Sequence, residues 1–92
     1  MDTKLKYVKV GRFGEVIIFP STIEHSEFRN MDVLTAGFCH IDANKNVVKC
    51  YGDSHSLNKK SDPMQDTRDA TSQCFGVFAM LELEFDENGN LK

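Results

Sequence analysis

The sequence predicts an α+β domain, a mostly antiparallel sheet with two helices, in the order β-β-α-β-β-α-β. Three observations carry this prediction. Apolar and polar residues alternate with period two through β-branched and aromatic runs at Leu5–Val10, Val33–Ile41 and Val47–Tyr51. Turn segments rich in Gly, Asn and Asp separate consecutive runs. Two further stretches, one after Pro20 and one at Asp62-Pro63, carry helix-start chemistry.

In the first run Leu5, Tyr7 and Lys9 face one way and Lys6, Val8 and Val10 the other. Gly11-Arg12-Phe13-Gly14 is a glycine-bounded turn into Glu15–Phe19, a strand too apolar to be exposed on both faces. Pro20 stops that strand. Ser21-Thr22-Ile23-Glu24 matches a capping box and predicts a short helix over 22–30 with Ile23 and Phe28 inward. If Ile41 pairs with Val48 across the turn Asp42–Asn46, Cys39 falls opposite Cys50 and Gly37 opposite Gly52. That register puts Gly37, Cys39, Ile41, Val48 and Cys50 on a core face. Phe38, His40, Lys49 and Tyr51 then form an aromatic, basic face on the other side.

The stretch Gly52–Ser61 reads as irregular and polar apart from Leu57. Asp62 as cap, Pro63 at the first helical position and Gln65 three beyond the cap start the second helix. Met64, Thr67, Thr71 and Cys74 are its expected inner face, with Gln65, Asp66, Arg68, Asp69, Ser72 and Gln73 in water. Gly76–Leu81 is apolar throughout and reads as a central or interface strand, Leu81–Phe85 as its emergence into solvent, and Asp86–Asn90 as a turn or frayed end.

A chain of 92 residues is a single domain, and an apolar fraction of 40% with seven Phe makes a modest core. Small cores leave little net stability, which predicts a homo-oligomer. The net charge of −3 argues against general nucleic-acid binding, while the scattered lysines and arginines leave room for a local anion site. Three cysteines without a framework spacing predict a reducing, cytoplasmic setting. The start Met-Asp-Thr-Lys-Leu-Lys lacks a signal-peptide pattern, and no run approaches the ~20 apolar residues of a membrane span.

The chemistry-bearing stretch is Tyr51–Ser61. Glycine lets a ligand approach the backbone, Asp53 suits a ribose or an amino group, and Lys59 suits a phosphate; Ser54, Ser56 and Ser61 supply hydroxyls. Phe38 and Tyr51 can stack a flat ring, and His25, His40 and His55 add titratable donors. These ten residues are the expected ligand site, with no catalytic residue, metal or cofactor assigned. The bland reading of the same stretch is an ordered polar connection.

Competing chemistries are weaker. A zinc site from Cys39, His40, Cys50 and His55 lacks a C-x-x-C knuckle, and neighbouring Cys39 and His40 point to opposite faces. Gly52-Asp53-Ser54 matches the GDSL-type esterase motif in three letters only, with no later D-x-x-H. A Cys–His dyad needs an electropositive, partly exposed thiol, and the register buries both candidates.

Taken together, Ile17-Ile18-Phe19, Ser21, His25, Phe28, Ala36-Gly37-Phe38, Cys50–Leu57 and Ser61 with the acidic helix after it resemble a pattern in small accessory proteins of phages and prophages. The resemblance covers roughly residues 15–70, and this chain has Asp62 where those proteins carry Arg after the serine. It implies a short viral accessory protein in the host cytoplasm, of a kind that often inhibits host machinery or sequesters host signalling nucleotides. Together with the polar loop, the leading expectation is a non-enzymatic, anti-defence protein that binds a small, nucleotide-like ligand. The alternatives are a protein–protein inhibitor of a host enzyme, acting through the acidic helix and C-terminal strand, and a small metal- or Cys/His-dependent enzyme.

Overall fold

In the computed structural model, which describes residues 4–92, the strands are β1 (Leu5–Val10), β2 (Glu15–Pro20), β3 (Val33–Asp42), β4 (Val47–Tyr51), β5 (Asp53–Ser54) and β6 (Lys59–Lys60). A 3-10 turn (His25–Phe28) lies between β2 and β3, and the helices α1 (Pro63–Phe75) and α2 (Val77–Leu81) follow β6. The main sheet has the order β2-β1-β3-β4, antiparallel throughout, and β5 pairs with β6 in a separate two-stranded ribbon. This is an α+β domain with a mostly antiparallel sheet. The expected register holds: Ile41 pairs with Val48, Cys39 with Cys50 and Phe38 with Tyr51.

Both faces of the sheet are covered. Tyr7, Cys39, Val48 and Cys50 are buried on one face with Ala70 of α1. Val8, Val10, Phe19, Val33 and Ala36 are buried on the other, under Phe28 of the 3-10 turn and Leu57 of the β5–β6 ribbon. The alternation in β1 therefore separates two cores rather than a core from water. Ile41, expected in the first core, is exposed at the end of β3.

The position of α1 depends on a charge. Lys9, on the helix-facing side of β1, is buried, and its Nζ lies 2.7 Å from Asp66 Oδ1 and 3.3 Å from Asp69 Oδ2. Asp66 Oδ2 accepts the Tyr7 hydroxyl at 2.5 Å and the Asp62 backbone N–H at 2.9 Å, so the carboxylate also closes the first turn of its own helix. Asp66 is fully buried, contrary to the expected solvent face, and the inner stripe is Asp66, Thr67, Ala70 and Thr71. Met64 and Cys74, expected inside, are exposed; a helix turned to deliver Asp66 to Lys9 carries those two positions outward.

The same helix ties both edges of the sheet. Thr71 Oγ1 accepts the Val48 N–H and Thr67 Oγ1 the Cys50 N–H on edge strand β4, each at 3.0 Å. On the opposite edge, Gln73 Oε1 accepts the Val16 N–H at 2.9 Å and Gln73 Nε2 donates to the Gly14 carbonyl at 3.1 Å. Strand edges whose amides are already bonded are poor templates for another strand.

Three further expectations are corrected. The helix expected over 22–30 contracts to the 3-10 turn: among the described residues no side chain caps it, Ile23 is exposed, and His25 is buried in place of Ile23. The irregular loop 52–61 contains the β5–β6 ribbon. The final strand is the helix α2. A six-residue run that is apolar throughout carries no period to separate strand from helix, and Ala79, Met80 and Leu81 are good helix formers. Gly76, at φ +99°, turns the chain between the two helices. The C-terminal turn is present, with Asp86 Oδ1 accepting the N–H groups of Asn88 and Asn90, and it leads Leu91 back to pair with Phe85.

The buried charges make a stability prediction. Replacing Asp66 by Ala leaves the Lys9 ammonium and Tyr7 hydroxyl buried without it, and destabilisation by about 3–5 kcal/mol is expected in urea denaturation. Tyr7→Phe removes only one hydrogen bond to a charged group and is expected to cost about 1.5–3 kcal/mol. A smaller loss for Asp66→Ala than for Tyr7→Phe contradicts the assignment.

Candidate functional site

The ten expected ligand-site residues divide into three groups. The first is a row on the sheet face away from α1. His25 is buried, and its Nε2–H donates to the Gly37 carbonyl at 2.8 Å. Its ring meets Phe19 and Phe38 edge-on at 5.5 and 5.8 Å, and Phe38 in turn lies 6.1 Å from Tyr51. Lys4 Nζ sits 4.0 Å over the Phe38 ring. Gly37 is required here, because a Cβ would come within 2.4 Å of the Tyr51 carbonyl oxygen. In this row His25 holds the 3-10 turn against β3.

The second group is the ribbon. Asp53 pairs with Lys60 and Ser54 with Lys59, and the His55–Asn58 turn closes with Asn58 at φ +53°, which asparagine tolerates. Ser54 is buried and its Oγ accepts the Leu57 N–H, which directs Leu57 into the second core. Ser61 Oγ donates to the Gly52 carbonyl at 2.7 Å and locks the base of the ribbon. His55 is 96% exposed at the tip, 3.7 Å from the Asp53 carboxylate. Ser54 and Ser61 thus have structural partners and the exposed Ser56 shares a hydroxyl contact with Ser54 at 3.4 Å, while His55 and Lys59 are exposed and Asp53 half-exposed.

The third group is His40 alone, in a cleft of about 290 Å³ with Asp42, Lys45, Val47, Lys49, Asn90 and Leu91. Lys49 Nζ there donates to Asn90 Oδ1.

The feature that sequence reading missed lies where the end of the 3-10 turn meets the ribbon. A cleft of about 380 Å³ is lined there by Arg29, Met31, Asp32, Val33, Ser56, Leu57 and Lys59. It adjoins a second cleft of about 320 Å³ that shares Met31 and Asp32 and reaches Arg12 and Phe13 in the β1–β2 turn. The Gly11 N–H donates to the Asp32 carbonyl at 2.9 Å and fixes the two turns together. Among the described residues, Arg29, Lys59 and Arg12 form no ion pair. Arg29 and Lys59 offer charge-assisted hydrogen bonds, Ser56 a hydroxyl, and Asp32 an acceptor in the same lining. Phe13, 94% exposed, and Met31 supply apolar surface in the neighbouring cleft. Of the expected site, only Ser56 and Lys59 line this groove. The signal for the rest was weak: Arg12 sits in a segment read as a turn, and Arg29 near the end of the short helix expected over 22–30.

No family model, curated protein or solved structure matches this chain.

Two of the three thiols are shielded from solvent. Cys39 and Cys50 are fully buried; burial pushes the Cys39 thiol up to about 12 and raises Cys50 further still. Among the described residues, no three His, Cys, Asp or Glu side chains converge as a metal site.

These shifts fix the pH dependence. Burial, and next the hydrogen bond to Asp66, raise the Tyr7 phenol above its ordinary value. Groups raised in the folded state keep protons that the unfolded chain releases, so their contribution is complete below the unfolded values and is lost as pH rises through the folded ones. Stability is therefore expected to fall above pH ~8.5, where unfolded thiols ionise, and more steeply above ~10 as tyrosine follows. Urea midpoints at pH 7, 9 and 10.5 test this, and a flat profile contradicts it. In native protein at neutral pH, only the exposed Cys74 is expected to be alkylated readily.

Proposed function

We propose that this chain is a non-enzymatic binding protein for a small, anionic, nucleotide-like ligand, of the sequestering kind that the phage-type resemblance implies. The observation that carries the reading is the pair of adjoining clefts between the 3-10 turn, the ribbon tip and the β1–β2 turn. Arg29 and Lys59 suit a phosphate, Ser56 adds a donor, and Asp32 accepts from a ribose hydroxyl or an exocyclic amine. Met31 and Phe13 offer apolar contact to a base. Each cleft falls near the lower end of the ~300–1,000 Å³ range of ligand pockets, which fits a ligand that extends across both. The reading keeps the ligand class expected from Tyr51–Ser61 and moves its anchor points to the side of the ribbon that faces Arg29.

A thermal-shift and calorimetric panel of purine mono- and dinucleotides tests it. A nucleotide at about 100 times its Kd is expected to stabilise the fold by about 2.7 kcal/mol. Arg29→Ala with Lys59→Ala removes two charge-assisted contacts of about 1.5–3 kcal/mol each, so the Kd is expected to rise by at least about two orders of magnitude. The melting temperature of the free double variant is expected to change little, because both side chains are exposed and the Arg29 Nε–H bond to the Ser26 carbonyl that is lost is exposed as well. Asp53→Ala with His55→Ala, at the ribbon tip, leaves binding within a few-fold. Loss of binding in the tip variant and retention in the groove variant would contradict the proposal.

A further inference from the structure

Every residue of α2 is apolar, yet among the described residues none of its side chains is buried: Phe78 is 87% exposed, Leu81 63% and Val77 53%. A helix that is apolar all round and lies on a surface marks a contact that is absent from the isolated chain. Directly after it come Glu82, Glu84 and Glu87, all exposed and, among the described residues, outside any ion pair. Asp86 is occupied in its own turn, and Lys92 is the one cation of residues 76–92.

The charges select the occupant. Two copies meeting through this same patch across a two-fold axis would bring each set of carboxylates toward the other set, and like charges in an interface oppose association. Each of the three cationic clefts of a second copy is lined by acids as well as cations, Asp32 with Arg29 and Lys59, Glu15 and Asp32 with Arg12, and Asp42 with Lys45 and Lys49, so none offers three glutamates an uninterrupted cationic partner. A lipid surface is also a poor match, since anionic headgroups would meet glutamates.

We propose that α2 and residues 82–87 form a docking surface for a basic protein segment, one that presents an apolar anchor to Phe78 and Leu81 and lysines or arginines to Glu82, Glu84 and Glu87. Apolar side chains at the centre with charges at the rim is the usual anatomy of a protein–protein contact. The acids would steer association and fix orientation, and the apolar anchor would carry most of the affinity. This surface is built from residues other than those lining the nucleotide groove, so either assignment can fail without the other.

The test uses the 92-residue chain and a synthetic amphipathic helical peptide with leucines on one face and lysines on the other, followed by fluorescence anisotropy at low and raised salt. Binding that weakens with salt is expected. Phe78→Asp is expected to weaken it at least about tenfold. Charge reversal by Glu82→Lys, Glu84→Lys and Glu87→Lys should abolish it, and the same reversed variant should bind a peptide whose lysines are replaced by glutamates. A folded melting profile for each variant shows that the losses are local. Equal binding by Phe78→Asp, or binding that ignores the charge reversal, overturns the proposal. So does a wild-type dimer by light scattering that Phe78→Asp converts to monomer, which would assign the patch to a second copy.

Discussion

A lysine on an interior strand is costly to bury without an anion, and much of this architecture follows from how Lys9, near the end of β1, obtains one. Burial opposes its charge, but the hydrogen bond and proximity of Asp66, and after it Asp69, outweigh that, so the ammonium ends with a raised pKa. The same carboxylate takes the hydroxyl of Tyr7, 59 residues earlier in the chain, and the amide of Asp62. A buried ion pair adds little net stability compared with an apolar replacement, but it penalises every arrangement that leaves one charge alone. Turning α1 by a single residue takes Asp66 away from Lys9. The pair therefore specifies which side of the helix meets the sheet.

Once α1 is set, both edge strands are set with it. Thr67 and Thr71 take the amides of β4, and Gln73 takes that of Val16 in β2. The helix-facing side of the domain is thereby committed to structure, through Tyr7, Lys9, Cys39 and Cys50. On the opposite side the covering elements are short: a single 3-10 turn and a ribbon whose strands are two residues each. Short elements meet imperfectly over a sheet, and the adjoining clefts lie where the two meet and where the first turn reaches Asp32. The exposed α2 lies past the end of α1, after Gly76 has turned the chain.

How much of this was legible in the sequence depended on the range of the interaction. The β3–β4 register was readable because alternation and one turn fix it locally: placing Ile41 against Val48 leaves no freedom for Cys39 and Cys50. The start of α1 was readable from Asp62 and Pro63 for the same reason. Asp66 was not, since an aspartate on a helix is normally solvated and its partners lie in another strand far along the chain. The run 76–81 lacked a period, and its polar flanks do not say whether a strand edge is left to receive it. Of the stretch Tyr51–Ser61, Ser56 and Lys59 line the groove, whereas Ser54 and Ser61 serve the ribbon's own hydrogen bonds and His25 serves Gly37. Arg12 and Arg29 join Lys59 only through the packing of turns, which no local pattern encodes.

The groove assignment is tested most directly by residue-resolved NMR, following backbone amide shifts of the labelled protein during titration with ADP and, separately, with cyclic dinucleotides. The account predicts saturable changes concentrated at Arg29, Met31, Asp32, Ser56 and Lys59, extending to Arg12 and Phe13 for ligands that carry a base. Changes centred on Phe38 and Tyr51 or on the His40 cleft, or no saturable change with any nucleotide, would contradict it.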